Sequence, residues 1–153
     1  MLKLTLIGFL LVCVTVTVHA FGTAVWLQLL VRNSTYLGKA YHLLKVLVVT
    51  SALFLLLHLI EIMLWAITYR QMVAPIELKS FEEAFYFSIV TFTTLGYGDI
   101  TLSEQWRILS GVEAVNGILL VGWTTALLFA VIQYAIKKTF SERQKGLDMP
   151  DTR

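Results

Sequence analysis

The residues best placed to do chemistry form one short run, Thr94-Leu95-Gly96-Tyr97-Gly98, which is followed by Asp99. Its two glycines alternate with ordinary residues, so the run fits neither the helical nor the strand period. Glycine adopts positive φ at no steric cost, and left-handed glycines between ordinary residues turn successive carbonyl oxygens to one side. Such a row, preceded by the Thr94 hydroxyl, predicts oxygen ligands for a hard, weakly hydrated cation.

A short helix is predicted immediately before this run. Ser80 and Glu83 have the S-x-x-E spacing of a capping box ahead of an apolar stretch, which indicates a helix over residues 81–93. About three to four turns are too few to cross a membrane, so the helix is predicted to be re-entrant. Non-helical backbone at membrane depth survives only where it is buried in protein or lines a water-filled path. The run after the helix is therefore expected to line such a path.

Composition places the chain in a membrane. Of its 153 residues, 58% are hydrophobic and 14% are charged, whereas soluble proteins carry roughly 25% charged residues. Three apolar segments, residues 4–31, 46–69 and 108–136, each exceed the roughly 20 residues that span hydrocarbon, and their acidic residues are Glu61 and Glu113. The sequence predicts an all-α membrane protein with three transmembrane helices and one re-entrant helix.

The first apolar segment has an alternative interpretation. Lys3, an apolar stretch and Val18-His19-Ala20 resemble a cleavable secretory signal. However, the apolar run continues to Val31, beyond the roughly 7–15 residues of a signal core. We therefore expect an uncleaved helix over residues 1–32.

The distribution of charge predicts the orientation. The loop at residues 33–45, with Arg32 before it, and the tail at residues 139–153, after Lys137 and Lys138, are basic near the membrane. Between Arg70 and Arg107 the acidic residues outnumber the basic ones. Because short basic loops lie on the cytoplasmic side, the N-terminus is predicted outside the cell membrane and the C-terminus in the cytoplasm. A cleaved signal would reverse this arrangement.

The order of outer helix, short helix, "TTLGYGD" and inner helix resembles the pore module of potassium channels, particularly the small prokaryotic ones. The resemblance covers residues 46–138 and leaves out the first helix, the basic loop and the tail. It implies that the carbonyls of Thr94, Leu95, Gly96 and Tyr97, with the Thr94 hydroxyl, bind dehydrated potassium ions in a potassium-channel-like homotetramer. Leu95 departs from the commoner valine, and this change concerns packing behind the filter because only the carbonyl faces the ion.

The resemblance also implies residues that support the filter. Gly98 continues the alternation, and Asp99 is expected to hydrogen-bond Tyr86, which stands where such channels often carry tryptophan. The alternative is that Asp99 is a solvated acid that concentrates cations near the mouth. Val90 stands where some relatives have a filter-supporting glutamate, so that acid pair is not expected.

The inner helix offers glycines and polar residues to the same pathway. Gly117 and Gly122 are candidates for a gating hinge, as the family suggests, with Gly117 favoured by its distance from the filter, and the alternative is close helix packing by small residues; Gly111 precedes them. Asn116, Thr124 and Thr125 are candidates to line the cavity or to hydrogen-bond a neighbouring helix, with Thr125 favoured for the cavity.

The acids at membrane depth call for partners, because an unpaired charge there is costly. His58 and Glu61 are spaced i, i+3 on one helix face. They predict either a proton-sensitive gate or hydrogen bonds that only fix packing, and we favour packing for both Glu61 and Glu113. The first helix carries polar residues, Thr15, Thr17 and His19, and also Trp26. It is expected to pack on the outer helix, with binding of a partner subunit as the alternative.

The main prediction is a potassium-selective channel that conducts passively through a homotetramer. The alternatives are the pore subunit of a regulated potassium uptake system, a less selective cation channel, and a non-conducting membrane protein. No nucleophile–base pair, metal-ligand spacing or phosphate loop indicates an enzyme, and no cofactor is expected besides the transported potassium ion. The net charge of +2 does not favour a nucleic-acid partner. No ligand-binding domain or voltage-sensing arginine repeat is expected.

Overall fold

The computed structural model describes residues 2–32, 40–73 and 77–147, without the side chains of residues 40–42 and 138–147. Within these residues lie four α-helices: α1 (Leu2–Arg32), α2 (Ala40–Met72), α3 (Phe81–Phe92) and α4 (Arg107–Leu147). A 3-10 turn, Glu104–Trp106, precedes α4. The described residues contain no strand, so the predicted all-α class is confirmed.

Three helices are long and apolar enough to cross a membrane: Leu2–Arg32, Leu43–Met72 and Glu104–Lys137. They contain the three predicted spans and extend past them. α2 begins at Ala40, inside the predicted loop, and α4 continues to Leu147, inside the predicted tail. A helix satisfies its own backbone hydrogen bonds and can therefore continue from hydrocarbon into water, so an apolar run marks membrane thickness and not helix length. The rest of that loop and tail lies outside the described residues.

The short helix α3 begins at the predicted cap. The Ser80 Oγ accepts a hydrogen bond from the Glu83 N–H at 3.1 Å. The Glu83 carboxylate in turn accepts from the Lys79 N–H at 2.6 Å, one residue before the donor of the usual capping box. α3 ends at Phe92, with Thr93 as its C-cap. Glu82 and Glu83 lie in its first turn, where negative charge favours the helix dipole.

α3 is held between α2 and α4 by an apolar core. Tyr69 of α2 packs edge-on against Phe87 of α3, with ring centroids 5.1 Å apart. The core joins residues of all three elements and the loops between them: Ile62, Trp65, Tyr69, Val73, Leu78, Ala84, Phe87, Phe92, Leu102, Trp106, Leu109 and Leu120. The loop after the predicted filter is also held in place, because Glu77 accepts hydrogen bonds from both the N–H and the hydroxyl of Ser103. This core fixes where the C-terminal end of α3 points.

α1 packs against α4 as well as α2, which makes the predicted contact with the outer helix alone incomplete. A Cβ at Gly8 would lie 3.1 Å from Cγ1 of Val112 in α4. A Cβ at Gly22 would lie 2.8 Å from Cδ2 of Leu57 in α2. The two glycines let α1 approach both neighbours closely, as small residues do between membrane helices.

Candidate ion pathway

The backbone after α3 has the alternation that the glycines predicted. Gly96 and Gly98 have φ of +57° and +79°, and Thr94 has φ of +59°. The left-handed residues thus begin at Thr94, two residues before the first glycine of the pattern. Thr94 is β-branched, and an L-residue in this region costs roughly 1–2 kcal/mol. Hydrogen bonds from residues 94–96 to the end of α3 help to hold this conformation, and strained backbone of this kind is common at functional sites.

Hydrogen bonds direct the amides of this segment back toward α3. The Thr94 N–H donates to the Thr91 carbonyl at 2.9 Å. The N–H groups of Leu95 and Gly96 both donate to the Val90 carbonyl, at 2.9 and 3.3 Å. Among the described residues, no backbone N–H donates to a carbonyl of residues 94–97. These four oxygens are thus free of backbone partners in the subunit.

A hollow below the segment continues the path toward α4. It has a volume of about 410 Å³, and its walls include Thr94 from the predicted filter and Gly122 and Thr125 from α4. The Thr125 hydroxyl donates to the Val121 carbonyl at 2.9 Å. The C-terminal end of α3 reaches the same hollow through Phe92 and Thr93, and a helix dipole places about half a negative charge at such an end. The hollow is electrostatically suited to a cation.

At the opposite end of the segment, the Tyr86 hydroxyl donates a hydrogen bond to Asp99 Oδ2 at 2.7 Å. The contact expected from the sequence is therefore present. It holds the pKa of Asp99 below its ordinary value and raises the pKa of Tyr86 above its own. The bond ties the residue after Gly98 to the middle of α3.

Gly117 owes its identity to close packing. A Cβ there would overlap the carbonyl oxygen of Phe92, so the backbone would have to shift to accommodate any side chain. By contrast, a Cβ at Gly111 or Gly122 would meet no atom within 4 Å. The sequence predicts that the glycines act either as a gating hinge or in close helix packing. The contact with α3 supports packing at Gly117, whereas Gly122 stays a candidate hinge.

Two of the three candidate cavity residues instead bind neighbouring helices. The Asn116 Nδ2 donates to the Thr15 Oγ1 of α1 at 2.8 Å in a buried contact. The Thr124 Oγ1 lies 3.0 Å from His58 Nε2 of α2. Thr125 alone of the three lines the hollow, whereas Asn116 and Thr124 make the alternative contact, a hydrogen bond to a neighbouring helix.

A sequence model of a family described as "ion channel" matches residues 45–134, more than half of the chain. The chain belongs to the ion channel family. Its matched part contains most of α2, all of α3, the predicted filter and α4 up to Tyr134. Two-pore potassium channel 4 of Arabidopsis thaliana is 38% identical over 69 residues, which are 44% of this chain and 23% of that relative. This ion channel thus spans less than a quarter of that relative's length, and no solved structure gives a significant match.

In this ion channel chain, the predicted His58–Glu61 pair is present and is part of a larger cluster. His58 Nδ1 lies 2.9 Å from Glu61 Oε2, and His19 Nδ1 of α1 lies 2.9 Å from Glu61 Oε1. His19, expected from the sequence only to give α1 a polar residue, is thus a second partner of Glu61. Spacing was the available signal, because Gly8, Thr15, His19, Gly22 and Trp26 recur every three, four or seven residues and share one helix face.

The other buried acid of this ion channel, Glu113, lies behind α3. It is fully buried, and its polar neighbours include the hydroxyls of Tyr69 on α2 and Ser88 on α3. Neither carboxyl oxygen makes a hydrogen bond to a described residue. Glu113 therefore lies buried where α2, α3 and α4 meet.

Proposed function

We propose that this channel conducts potassium ions passively across the cell membrane, with the carbonyls of Thr94, Leu95, Gly96 and Tyr97 as successive ligands. The observation that carries the proposal is the left-handed backbone at every second residue from Thr94 to Gly98. Together with amides that bond to Val90 and Thr91, it leaves a row of oxygens without backbone partners. Such oxygens replace the hydration shell of a potassium ion.

Membership in the ion channel family and the name of the plant relative support the same ion. The Thr94 hydroxyl supplies a further ligand at the inner end of the row. Gly98 and the Tyr86–Asp99 bond support the outer end. Thr125 lines the cavity below, where water solvates the arriving ion, and Gly122 is the remaining hinge position.

The proposed pore requires four copies of the chain. One subunit contributes a single row of oxygens, and a cation needs ligands on all sides. In one subunit the side chains of Leu95 and Tyr97 are 54% and 68% exposed, which is unsuitable for apolar groups beside a rigid ion site. Four subunits around one axis would close the ring and cover these side chains, as cyclic symmetry requires. In this proposal the N-terminus lies outside and the C-terminus in the cytoplasm, because the basic segments that flank the spans favour the inner side.

The decisive experiment measures ion flux in liposomes that contain the purified protein. We expect potassium flux to exceed sodium flux at least about tenfold, which corresponds to a barrier difference of ~1.4 kcal/mol. Equal flux of both ions would replace the proposal with a less selective cation channel. Absence of flux for either ion would contradict conduction by this chain without a partner.

A variant tests the assigned backbone. Gly96→Ala should abolish potassium flux, because an L-residue in the left-handed region costs roughly 1–2 kcal/mol in each subunit and the carbonyl row would turn to relieve it. Gly111→Ala is the matched control, since it adds the same methyl group to a helical residue that has open space around it. Normal flux in Gly96→Ala would show that residues 94–97 do not coordinate the ion.

A further inference from the structure

Four side chains from three helices form a closed ring inside the membrane, next to the C-terminal end of α3. Glu61 Oε1 and Oε2 lie 2.9 Å from the Nδ1 atoms of His19 and His58. On the far side, Thr124 Oγ1 lies 3.0 Å from His58 Nε2 and 3.4 Å from His19 Nε2. The two imidazole rings stack with centroids 5.3 Å apart. We call these four residues the polar ring.

The polar ring has four contacts and needs one hydrogen in each. With Glu61 ionised and both histidines neutral, each Nδ1–H donates to the carboxylate, and the Thr124 hydroxyl donates to one Nε2. Three hydrogens then serve four contacts, and the second Nε2 faces an oxygen with no hydrogen between them. One additional proton on that Nε2 completes the ring, because the Thr124 oxygen then accepts from it.

The net charge of the polar ring also favours one additional proton. The ring with three hydrogens carries a net charge of −1, while His19 and Glu61 have no exposed side-chain surface. Among the described residues, no lysine or arginine forms an ion pair with Glu61. An unpaired buried charge is costly in a membrane. One proton makes the polar ring neutral overall and pairs the carboxylate with an imidazolium.

We propose that the polar ring is a proton-binding site that takes up one proton from water, on His19 Nε2, and releases it unchanged. The proton adds to a nitrogen lone pair, and no other bond forms or breaks except the hydrogen bond to Thr124. His19 receives it because its contact with Thr124, at 3.4 Å, is the longer of the two. The bound proton ties α4 to α1 and α2.

Aromatic side chains pack around the polar ring, so the groups that can hold the proton are its own members. Phe54 of α2 and Trp123 of α4 pack on His19, and Phe92 of α3 packs on His58. Among the described residues, the hydrogen bonds of these four side chains join them to one another. Glu113 is eleven residues before Thr124 on α4, about 16 Å along the helix, and neighbours Tyr69 and Ser88 instead.

A consequence for conduction rests on the proposed function. Thr124 precedes Thr125, which lines the hollow below the predicted filter. A movement of α4 that widens the pathway must separate Thr124 from the two histidines. The proton adds a charge-assisted hydrogen bond to that contact, so it opposes the movement. Potassium flux should therefore rise as the pH rises and the polar ring loses its proton.

Nitrogen NMR of the full-length protein with 15N-labelled histidine tests the site without any flux measurement. The chain has three histidines, and His42→Gln leaves the two of interest. At about pH 7 we expect one imidazole with both nitrogens protonated and one imidazole with hydrogen on Nδ1 alone. A histidine side chain in water is mostly neutral at that pH. Two neutral rings throughout the range from about pH 6 to pH 8 would overturn the proposal.

Thr124→Val isolates the role of ring closure, because it removes the hydroxyl and nearly preserves side-chain volume. The fraction of doubly protonated imidazole at about pH 7 should then fall, whereas Thr17→Val, which deletes a hydroxyl bonded within α1, should leave it unchanged. An unchanged spectrum in Thr124→Val would overturn the closed ring. Histidine nitrogen signals that change when a chelator is added would show that a metal ion occupies the cluster in place of the proton, which would overturn the proposal.

Flux measurements then test the coupling to α4. Wild-type potassium flux should be several-fold higher at about pH 8 than at about pH 6, with the difference lost in Thr124→Val and retained in Thr17→Val. A flat wild-type profile would overturn the coupling. Absence of potassium flux at every pH would contradict the proposed function, while the NMR spectra would still decide the proton site.

Discussion

At the scale of single residues, the mouth of the predicted filter depends on a contact between two exposed side chains. Tyr86 lies on α3 and Asp99 follows Gly98, so their 2.7 Å hydrogen bond connects the two segments on either side of residues 94–98. The bond favours the charged form of Asp99 and the neutral form of Tyr86, which lowers the pKa of Asp99 and raises the pKa of Tyr86. The contact is therefore present across the whole neutral range.

The pH range of this contact is a testable prediction. A carboxyl with a lowered pKa contributes stability that is present above its ordinary value of about 3.9 and is lost as the pH falls through the lowered one. The raised pKa of Tyr86 acts in the opposite direction, so its contribution is present below about pH 10 and is lost above it. Tyr86→Phe should lower the melting temperature of the purified protein between these limits.

Melting curves of wild type and Tyr86→Phe across pH provide the measurement. The difference between them should be constant from about pH 5 to pH 9 and should shrink in stronger acid. Tyr134→Phe serves as the control, because it removes a tyrosine hydroxyl from α4 at a distance from the filter. A difference that is as large in strong acid as at neutral pH would rule out the Asp99 carboxylate as the partner.

At the scale of elements, the position of α3 depends on how closely α4 approaches its end. The backbone of Phe92 occupies the space that a side chain at residue 117 would need. The C-terminal end of α3, and with it the first residue of the predicted filter, is thus positioned by direct contact with α4. A bulkier residue at this contact would displace the filter itself.

This contact separates the two interpretations of Gly117. Gly117→Ala should destabilise the protein by about 1–3 kcal/mol, the usual cost of an overpacked core, and lower its melting temperature. Gly122→Ala should be neutral or stabilising, because alanine is favoured over glycine within a helix by about 0.5–1 kcal/mol and its methyl group has open space.

A hinge role for Gly117 makes the opposite prediction. Gly117→Ala would then retain the wild-type melting temperature and change only the fraction of open channels. Measuring melting temperature and flux on the same preparations distinguishes the two roles.

At the scale of the whole molecule, the single chain presents apolar side chains next to its predicted ion ligands. Val115 and Ile118 of α4 are 68% and 63% exposed, on the helix that also carries Gly117. Lipid can cover apolar side chains, but it cannot serve the oxygens of residues 94–97, since unsatisfied backbone groups are excluded from hydrocarbon. The surface of one chain is thus consistent with the proposed tetramer around the predicted filter.

We expect native mass spectrometry of the detergent-purified protein to give a mass close to four times the 17.3 kDa of one chain. The reason is that each copy supplies one of the four oxygen rows of the pore. Addition of potassium should stabilise this species against dissociation more than sodium does, because only the preferred ion bridges the rows. A stable single chain as the main species would contradict the proposed pore.

The sequence alone determined the features that depend on local chemistry. The lengths of the apolar runs predicted three spans, the Ser80–Glu83 spacing predicted the start of α3, and the glycines at 96 and 98 predicted left-handed backbone. Each follows from the few residues that surround it. The i, i+3 spacing of His58 and Glu61 predicted their contact for the same reason, since one helix turn brings them together.

Only the tertiary structure decided which helix faces which. Asn116 bonds to Thr15 across a separation of 101 residues, and His19 bonds to Glu61 across 42, so neither contact follows from local spacing. The requirement for glycine at residue 117 likewise arises from the carbonyl of Phe92 on another helix. A transmembrane helix is apolar on nearly every face, and the sequence therefore carries little information on rotation about its axis. That rotation turned Asn116 and Thr124 toward α1 and α2, left Thr125 at the ion pathway, and closed the polar ring.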